Sequence, residues 1–321
     1  MKLGVFTVLF GNQPFPEMLA AVHQLGLEAI EVGTGAYPGN SHCDADRLLA
    51  DPQLLDTYKR AVEDSGLFIS ALSCQGNPLH PNAQTAEQHR NTFERTVLLA
   101  ERLQVPVINL LSGCPGEPGG GKYPNWPGFA WPPEFPELWE WQWNEVAIPY
   151  WKEAARFANA NGIFKLAIEM HPGFLVYNPE TALRLRSAVG PTIGVNFDPS
   201  HLLWLGVDLP AAIKALADCI FHCHAKDVSL NRGQVAVNGV IDPKSYAQVA
   251  DRSWSFRAPG WGQSAEVWKE MLSSLRMHGY DYVLSIEHED PLTSAQEGLR
   301  HSIHFLNSIL LKERPDKMWW A

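Results

Sequence analysis

Four apolar runs in the second half of the chain end on residues that bind cations or move protons. Leu166-Ala167-Ile168-Glu169-Met170-His171 delivers a glutamate and Gly194-Val195-Asn196-Phe197-Asp198 an aspartate. Phe221-His222-Cys223-His224-Ala225-Lys226-Asp227 delivers a histidine, and Val283-Leu284-Ser285-Ile286-Glu287-His288-Glu289 a second glutamate. A charged group at the end of an apolar strand is costly to bury unless it is paired or bound to a metal. Three carboxylates and an imidazole are a ligand set for one hard-to-borderline divalent ion, Mn²⁺, Mg²⁺, Co²⁺ or Zn²⁺. Taken singly, Glu169, Asp198, His224 and Glu287 could each be an ion pair at a strand end. Taken together they would require four coincidences at one relative position of successive strands, so the expectation is a single convergent metal site.

Other residues are candidates for the surroundings of that site. His201 follows Asp198 by three positions and could donate to a substrate hydroxyl, or simply start a helix that Asp198 or Ser200 caps. His171 and Asp227 could hold the metal ligands from behind, His171 could instead touch substrate, and either could have only a surface or loop role. Glu31, closing the second apolar run, could bind a sugar hydroxyl or pair with a nearby cation. Arg257 could hold a phosphate, a carboxylate or a hydroxyl pair, or be an ordinary surface arginine.

The elements that must position these groups alternate. Strands are expected near Leu3–Val8, Ala29–Val32, Phe68–Leu72, Val107–Leu111, Lys165–Glu169, Ile193–Asp198, Ile220–Lys226 and Tyr282–Glu287. Helical periodicity fills Phe15–Leu25, Pro52–Ser65, Thr85–Leu103, Ala147–Asn161, Pro179–Val189, Leu209–Ala217, Ala265–His278 and Ser294–Leu311. Gly26, Gly66, Gly162 and Gly279 each stand between a helical stretch and a strand, as left-handed caps do. Eight βα units without a linker predict one (β/α)8 barrel over residues 1–321. A doubly wound open sheet would explain the alternation but not four convergent polar strand ends. In a barrel the site lies at the C-terminal strand ends, and the period of two puts Glu169 with His171, His222 with His224, and Glu287 with Glu289.

Two βα connections are long. The one after the fourth strand runs from Ser112 to about Asn144 and holds Gly119-Gly120-Gly121, many prolines and a run of tryptophans; the one after the seventh runs from Val228 to about Gln263 and includes Arg252, Trp254, Arg257 and Pro259-Gly260-Trp261-Gly262. Loops of this length without secondary structure of their own tend to be lids, binding loops or interfaces. Six tryptophans between Trp126 and Trp151 could stack on the CH faces of a sugar or form a subunit contact. The terminal Met318-Trp319-Trp320-Ala321 is expected to pack on a neighbour or on the barrel.

The 321 residues are 45% hydrophobic and 19% charged, with a net charge of −10. That balance speaks against nucleic acid as a partner. No apolar run approaches membrane-spanning length. Met1-Lys2-Leu3-Gly4-Val5-Phe6 leads into a strand with no signal-peptide architecture, and five cysteines give no paired framework. The expectation is a cytoplasmic protein with free thiols. No GxSxG, Walker A or dinucleotide-binding glycine motif stands in the required context.

The ordered set "IEMHP", "NFDPSH", "HCHAKD", "PGWG" and "SIEHE" resembles the xylose isomerase-like TIM barrels, and within them the sugar phosphate isomerase/epimerase group, over nearly the whole chain. This group is similar to ketose 3-epimerases and to isomerases and dehydratases of inositol catabolism. The resemblance implies that Glu169, Asp198, His224 and Glu287 bind one divalent metal, often Mn²⁺ in relatives. It also implies that Glu169 and Glu287 lie on opposite sides of the substrate, and that His201 and Arg257 touch substrate oxygens; either glutamate could then remove a proton beside a carbonyl and the other return one. The implied partner is a small carbohydrate, and homo-oligomerisation is expected from the tryptophan load. The Trp-rich insertion and the insertion before Pro259-Gly260 depart from the group's pattern. They open lyase chemistry on a 3-keto glycoside beside isomerisation or epimerisation. Two other readings carry less. Endonuclease IV shares this barrel, but metal-assisted phosphodiester hydrolysis normally needs three metals, more histidines and a basic groove. A non-catalytic carbohydrate-binding subunit would have no need of the ligand set.

Overall fold

In the computed structural model, which describes residues 1–313, 318 and 320, the eight expected strands close on one another. They are β1 (Lys2–Phe6), β2 (Ala29–Gly33), β3 (Phe68–Ser73), β4 (Ile108–Leu111), β5 (Leu166–Glu169), β6 (Ile193–Phe197), β7 (Ile220–Ala225) and β10 (Val283–Ile286). All pair in parallel, in the order β1-β10-β7-β6-β5-β4-β3-β2, and form a closed barrel. Buried on both faces, they read as almost unbroken apolar runs, as parallel strands do. The (β/α)8 fold expected from the alternation is the fold observed.

The helices lie where the 3.6-residue period placed them, within two residues at most ends, from Phe15–Gln24 through Pro179–Val189 to Ala295–Ile309. Their starts are set by local chemistry. Asn178 and Thr181 form a reciprocal capping box, and Asn82, Asp208 and Ser294 each accept from a backbone amide of the first turn. Gly26, Gly66, Gly162 and Gly279 all have positive φ, the conformation that lets the chain leave a helix for the next strand.

Two corrections concern the long connections, both of which carry secondary structure. After β4, a helix at Glu134–Trp141 widens through a π-helical turn at Gln142–Ala147 and continues as Ile148–Ala160. Trp143 and Trp151 are fully buried there, and Trp151 Nε1 donates to the Ser112 carbonyl at 2.9 Å, so these two rings are core. After β7, strands β8 (Asp227–Leu230) and β9 (Trp254–Arg257) pair antiparallel as a separate two-stranded sheet. This sheet is pinned by Trp204 stacked on Trp254, ring centres 4.7 Å apart, and by Arg252 held between Tyr246 and Trp254. Of the terminal segment, Met318 and Trp320 are exposed, while Trp319 and Ala321 lie outside the described residues.

The register shifts by one residue at Ile30/Glu31 and at Val195/Asn196. Such irregularities re-aim a side chain, and both fall on residues that point into the barrel. Beside the second, a β-carbon on Gly194 would overlap the Phe221 ring and the Cys219 carbonyl. Gly194→Ala is therefore expected to cost about 1–3 kcal/mol of stability through overpacking, read as a lowered denaturant midpoint with an unchanged slope.

Candidate metal centre

The barrel interior at its C-terminal end is built in layers, because residues two apart on a strand share a face. The lower layer is polar and fully buried: Glu31, Asn109, Asn196, His222 and Ser285 have no exposure. Glu31 is its hub. Its oxygens accept from Ser73 Oγ at 2.5 Å, Asn109 Nδ2 at 2.8 Å, Ser285 Oγ at 2.6 Å and His224 Nε2 at 3.0 Å. Burial alone would raise the Glu31 carboxyl, but His224 above all, with His222 and the serine, holds it far below the usual carboxylate range. Of the two roles expected for Glu31, the contacts fit pairing with a cation: both of its carboxylate oxygens are engaged inside the barrel. It pairs with a cation only in the sense that it faces an imidazole.

The next layer holds the four expected ligands, since Asp198, His224 and Glu287 stand two residues beyond Asn196, His222 and Ser285. Glu169, Asp198, His224 and Glu287 each offer one atom, and these atoms lie within 4.8 Å of one another. With Nε2 fixed by Glu31, His224 turns Nδ1 toward them: 2.9 Å from Glu287 Oε2, 3.7 Å from Glu169 Oε2 and 3.9 Å from Asp198 Oδ2. His224 Nδ1, Asp198 Oδ2 and Glu287 Oε2 are buried and have no hydrogen-bond partner. Only ion-pair contacts reach them, from one another and from Lys226, and three ligand atoms that converge in this way fit one divalent cation. The carboxylate field is strong enough that, although burial disfavours a charge, Glu31 and Glu287 hold the imidazole well above the ordinary histidine value. The same negative field attracts a divalent cation, which would have to displace that proton to bind Nδ1. Asp198 Oδ1 is occupied, accepting from Ser200 N at 2.8 Å and Ser200 Oγ at 2.7 Å, so Oδ2 is the atom turned toward the other ligands.

His201 and His171 stand on one side, rings 4.1 Å apart. His201 Nε2 is 3.3 Å from Glu169 Oε1 and 3.5 Å from Asp198 Oδ2, buried and without a hydrogen bond. Burial lowers both imidazoles to about 4, helped by their mutual repulsion at His171, so both are neutral at physiological pH. His171 Nδ1 meets the Pro172 carbonyl at 2.6 Å, and it touches no ligand by hydrogen bond.

Two further candidates are held by contacts outside the ligand cluster, in the structural roles that stood as their alternatives. Asp227 does not hold a ligand. Its Oδ2 accepts from the backbone amides of Gly260, Gly262 and Gln263 and from Trp268 Nε1, all at 2.9–3.1 Å, so it anchors the Pro259–Gly262 turn. Arg257 points to Asp290, with Nε 2.9 Å from Oδ2, and ties the end of β9 to the segment after β10. Its neighbour Phe256 comes closer to the site, edge-on to His201 at 5.4 Å.

Three residues near the ligands went unread. Gln75 Nε2 and Asn196 Nδ2 approach Glu169 Oε2 at 3.4 and 3.5 Å. Lys226, two residues beyond His224, places Nζ 2.9 Å from Glu287 Oε2 and 3.1 Å from Asp198 Oδ2. The same period of two that grouped His222 with His224 carries on to Lys226 and would have exposed it.

A closed parallel barrel with a carboxylate–imidazole cluster at its C-terminal mouth defines a TIM barrel with a metal-type site. Residues 19–309 match the family described as Xylose isomerase-like TIM barrel, and the chain belongs to that family. YfiH of Bacillus subtilis (strain 168) is 39% identical over 312 residues, 97% of this chain and 99% of its own. Among solved structures, the probable 3-DHS dehydratase AsbF from Bacillus anthracis superposes with a TM-score of 0.67 at 17% identity, covering 96% of this chain and 99% of that one. A D-psicose 3-epimerase superposes with 0.63 at 17% identity, covering 97% and 99%. At these identities the two structures share the fold.

Proposed function

We propose that this barrel is a divalent-metal-dependent sugar isomerase or epimerase that removes a proton next to the carbonyl of a keto sugar or polyol derivative. The observation that carries the reading is the convergence of Glu169, Asp198, His224 and Glu287, whose ligand atoms lie within 4.8 Å of one another. These four would hold the ion, and Mn²⁺ suits an oxygen-rich set with one imidazole. When bound, the ion supplies Lewis-acid polarisation of a carbonyl and its neighbouring hydroxyl.

The protein supplies the proton transfers. Glu287 has 14% of its side chain exposed against 5% or less for the other three ligands, so it is the carboxylate most open to a substrate. It takes the proton, and Glu169, approaching from β5, returns one to the opposite face or to the adjacent carbon. His201, neutral and with a free Nε2, is the hydrogen-bonding partner for a substrate oxygen. The hairpin's Phe256 gives the sugar an apolar wall and helps keep water out. The same first step leads to β-elimination, and the fold shared with a probable dehydratase supports a lyase as the second reading.

The test is chelation. Metal-stripped protein should lose turnover of keto sugars, and stoichiometric Mn²⁺ should restore it. Full turnover by protein shown metal-free by elemental analysis would refute the proposal.

A further inference from the structure

We propose that Lys226 and the divalent ion compete for the same two carboxylate oxygens, and that Glu289 receives the ammonium group when the ion is bound. The inference rests on the metal reading above. Lys226 is 2% exposed, and its Nζ lies among three carboxylates: Asp198 Oδ2 at 3.1 Å, Glu287 Oε2 at 2.9 Å and Glu289 Oε2 at 3.1 Å. The first two are the converging oxygens of the ligand set that form no hydrogen bond. The third contact is a hydrogen bond, to a side chain 49% exposed at the mouth of the barrel.

Two cations on the same oxygens repel strongly in a buried site. The ammonium nevertheless has reason to stay close. Glu169, Asp198 and Glu287 carry three negative charges, a divalent ion leaves one, and one ammonium nearby cancels it. A lysine has three donors on a flexible stem, so its Nζ can give up Asp198 and Glu287 without losing Glu289. Glu289 stands two residues beyond Glu287, on the same face of the strand's extension and nearer solvent. Movement toward it carries the charge outward, toward the side from which substrate enters. Phe256, whose ring centre is 4.7 Å from Nζ, bounds the other side. Metal loading would thereby also place a cation beside the substrate.

The test uses Mn²⁺ alone as probe, titrated calorimetrically into wild-type protein, Lys226→Met, Glu289→Gln and the double variant at fixed pH and ionic strength. Melting curves in chelator and in Mn²⁺ are recorded for each. Lys226→Met is expected to bind Mn²⁺ at least roughly tenfold more tightly, because the competing charge is gone. Glu289→Gln is expected to weaken binding roughly two- to fivefold, and to have no further effect in the Lys226→Met background. Lys226→Met should also lose more thermal stability in chelator than in Mn²⁺. Unchanged or weaker Mn²⁺ binding by a folded Lys226→Met protein overturns the inference alone, as does an undiminished Glu289→Gln effect in the double variant. Failure of both wild type and Lys226→Met to bind Mn²⁺ overturns the inference and the metal reading together. If methionine prevents folding, Lys226→Gln carries the same expectation.

Discussion

Replacing Glu287 with glutamine is expected to stop solvent deuterium from entering substrate at the carbon next to its carbonyl. The amide oxygen can still face the ion, so Mn²⁺ binding should fall by less than about tenfold, whereas the group that accepts the proton is gone. Loss of a positioned general base typically costs about 10²–10⁴-fold in rate. The measurement is proton NMR in D₂O with a panel of free, phosphorylated and glycosidic keto sugars. Glu169→Gln separates the roles. If Glu287 is the base and Glu169 the acid, the Glu169 variant keeps exchange at the first carbon and loses product. Wild-type exchange in Glu287→Gln, with exchange lost in Glu169→Gln, would reverse the assignment.

Truncating Glu31 should have the second large effect, and on two quantities at once. Its carboxylate is fully buried and accepts from Ser73, Asn109, Ser285 and His224. Glu31→Ala strands these donors and frees His224 Nε2 from the carboxylate that fixes its ring. Breaking a buried ionic cluster from one side typically costs about 3–5 kcal/mol. Losing the partner that orients a histidine ligand typically costs about 10–100-fold in metal affinity. Chemical denaturation with chelator present reads the first, and Mn²⁺ titration the second. A variant that loses stability but binds Mn²⁺ as tightly as wild type would show that Glu31 is scaffold only. Glu31→Gln, which keeps the shape but not the charge, should lie between wild type and alanine in both.

The barrel was legible because its strands are short, apolar and bounded by glycine caps, and because three of them stop on carboxylates. Glu169, Asp198 and Glu287 stand out because nothing in an apolar run explains a charge at its end. The role of Glu31 could not be read the same way. It depends on which residues face it across the barrel, and that follows from closure and from the register shift at Ile30/Glu31, neither of which leaves a local trace. Lys226 was obscured by its neighbours: in His224-Ala225-Lys226-Asp227 three polar residues crowd together, and only the strand's alternation separates the inward pair from Asp227. The hairpin escaped notice because β8 and β9 are four residues each and far apart in sequence. The helix at Glu134–Trp141 was masked by prolines, although Pro136 falls in its first turn, where a missing amide hydrogen costs nothing.

The link from Glu31 to His224 joins residues 193 positions apart, and that from Glu31 to Ser285 spans 254. Contacts of such separation form late, after shorter loops have closed. A chain still emerging from the ribosome has β2 long before it has β7, and Glu287 only after seven barrel strands have been made. On the metal reading proposed above, the ion can be acquired only after β10 has been made, and cannot template the strands before it. If that reading holds, a tightly held ion would report that β10 has joined β1 and β7, a measure of completed folding independent of any substrate.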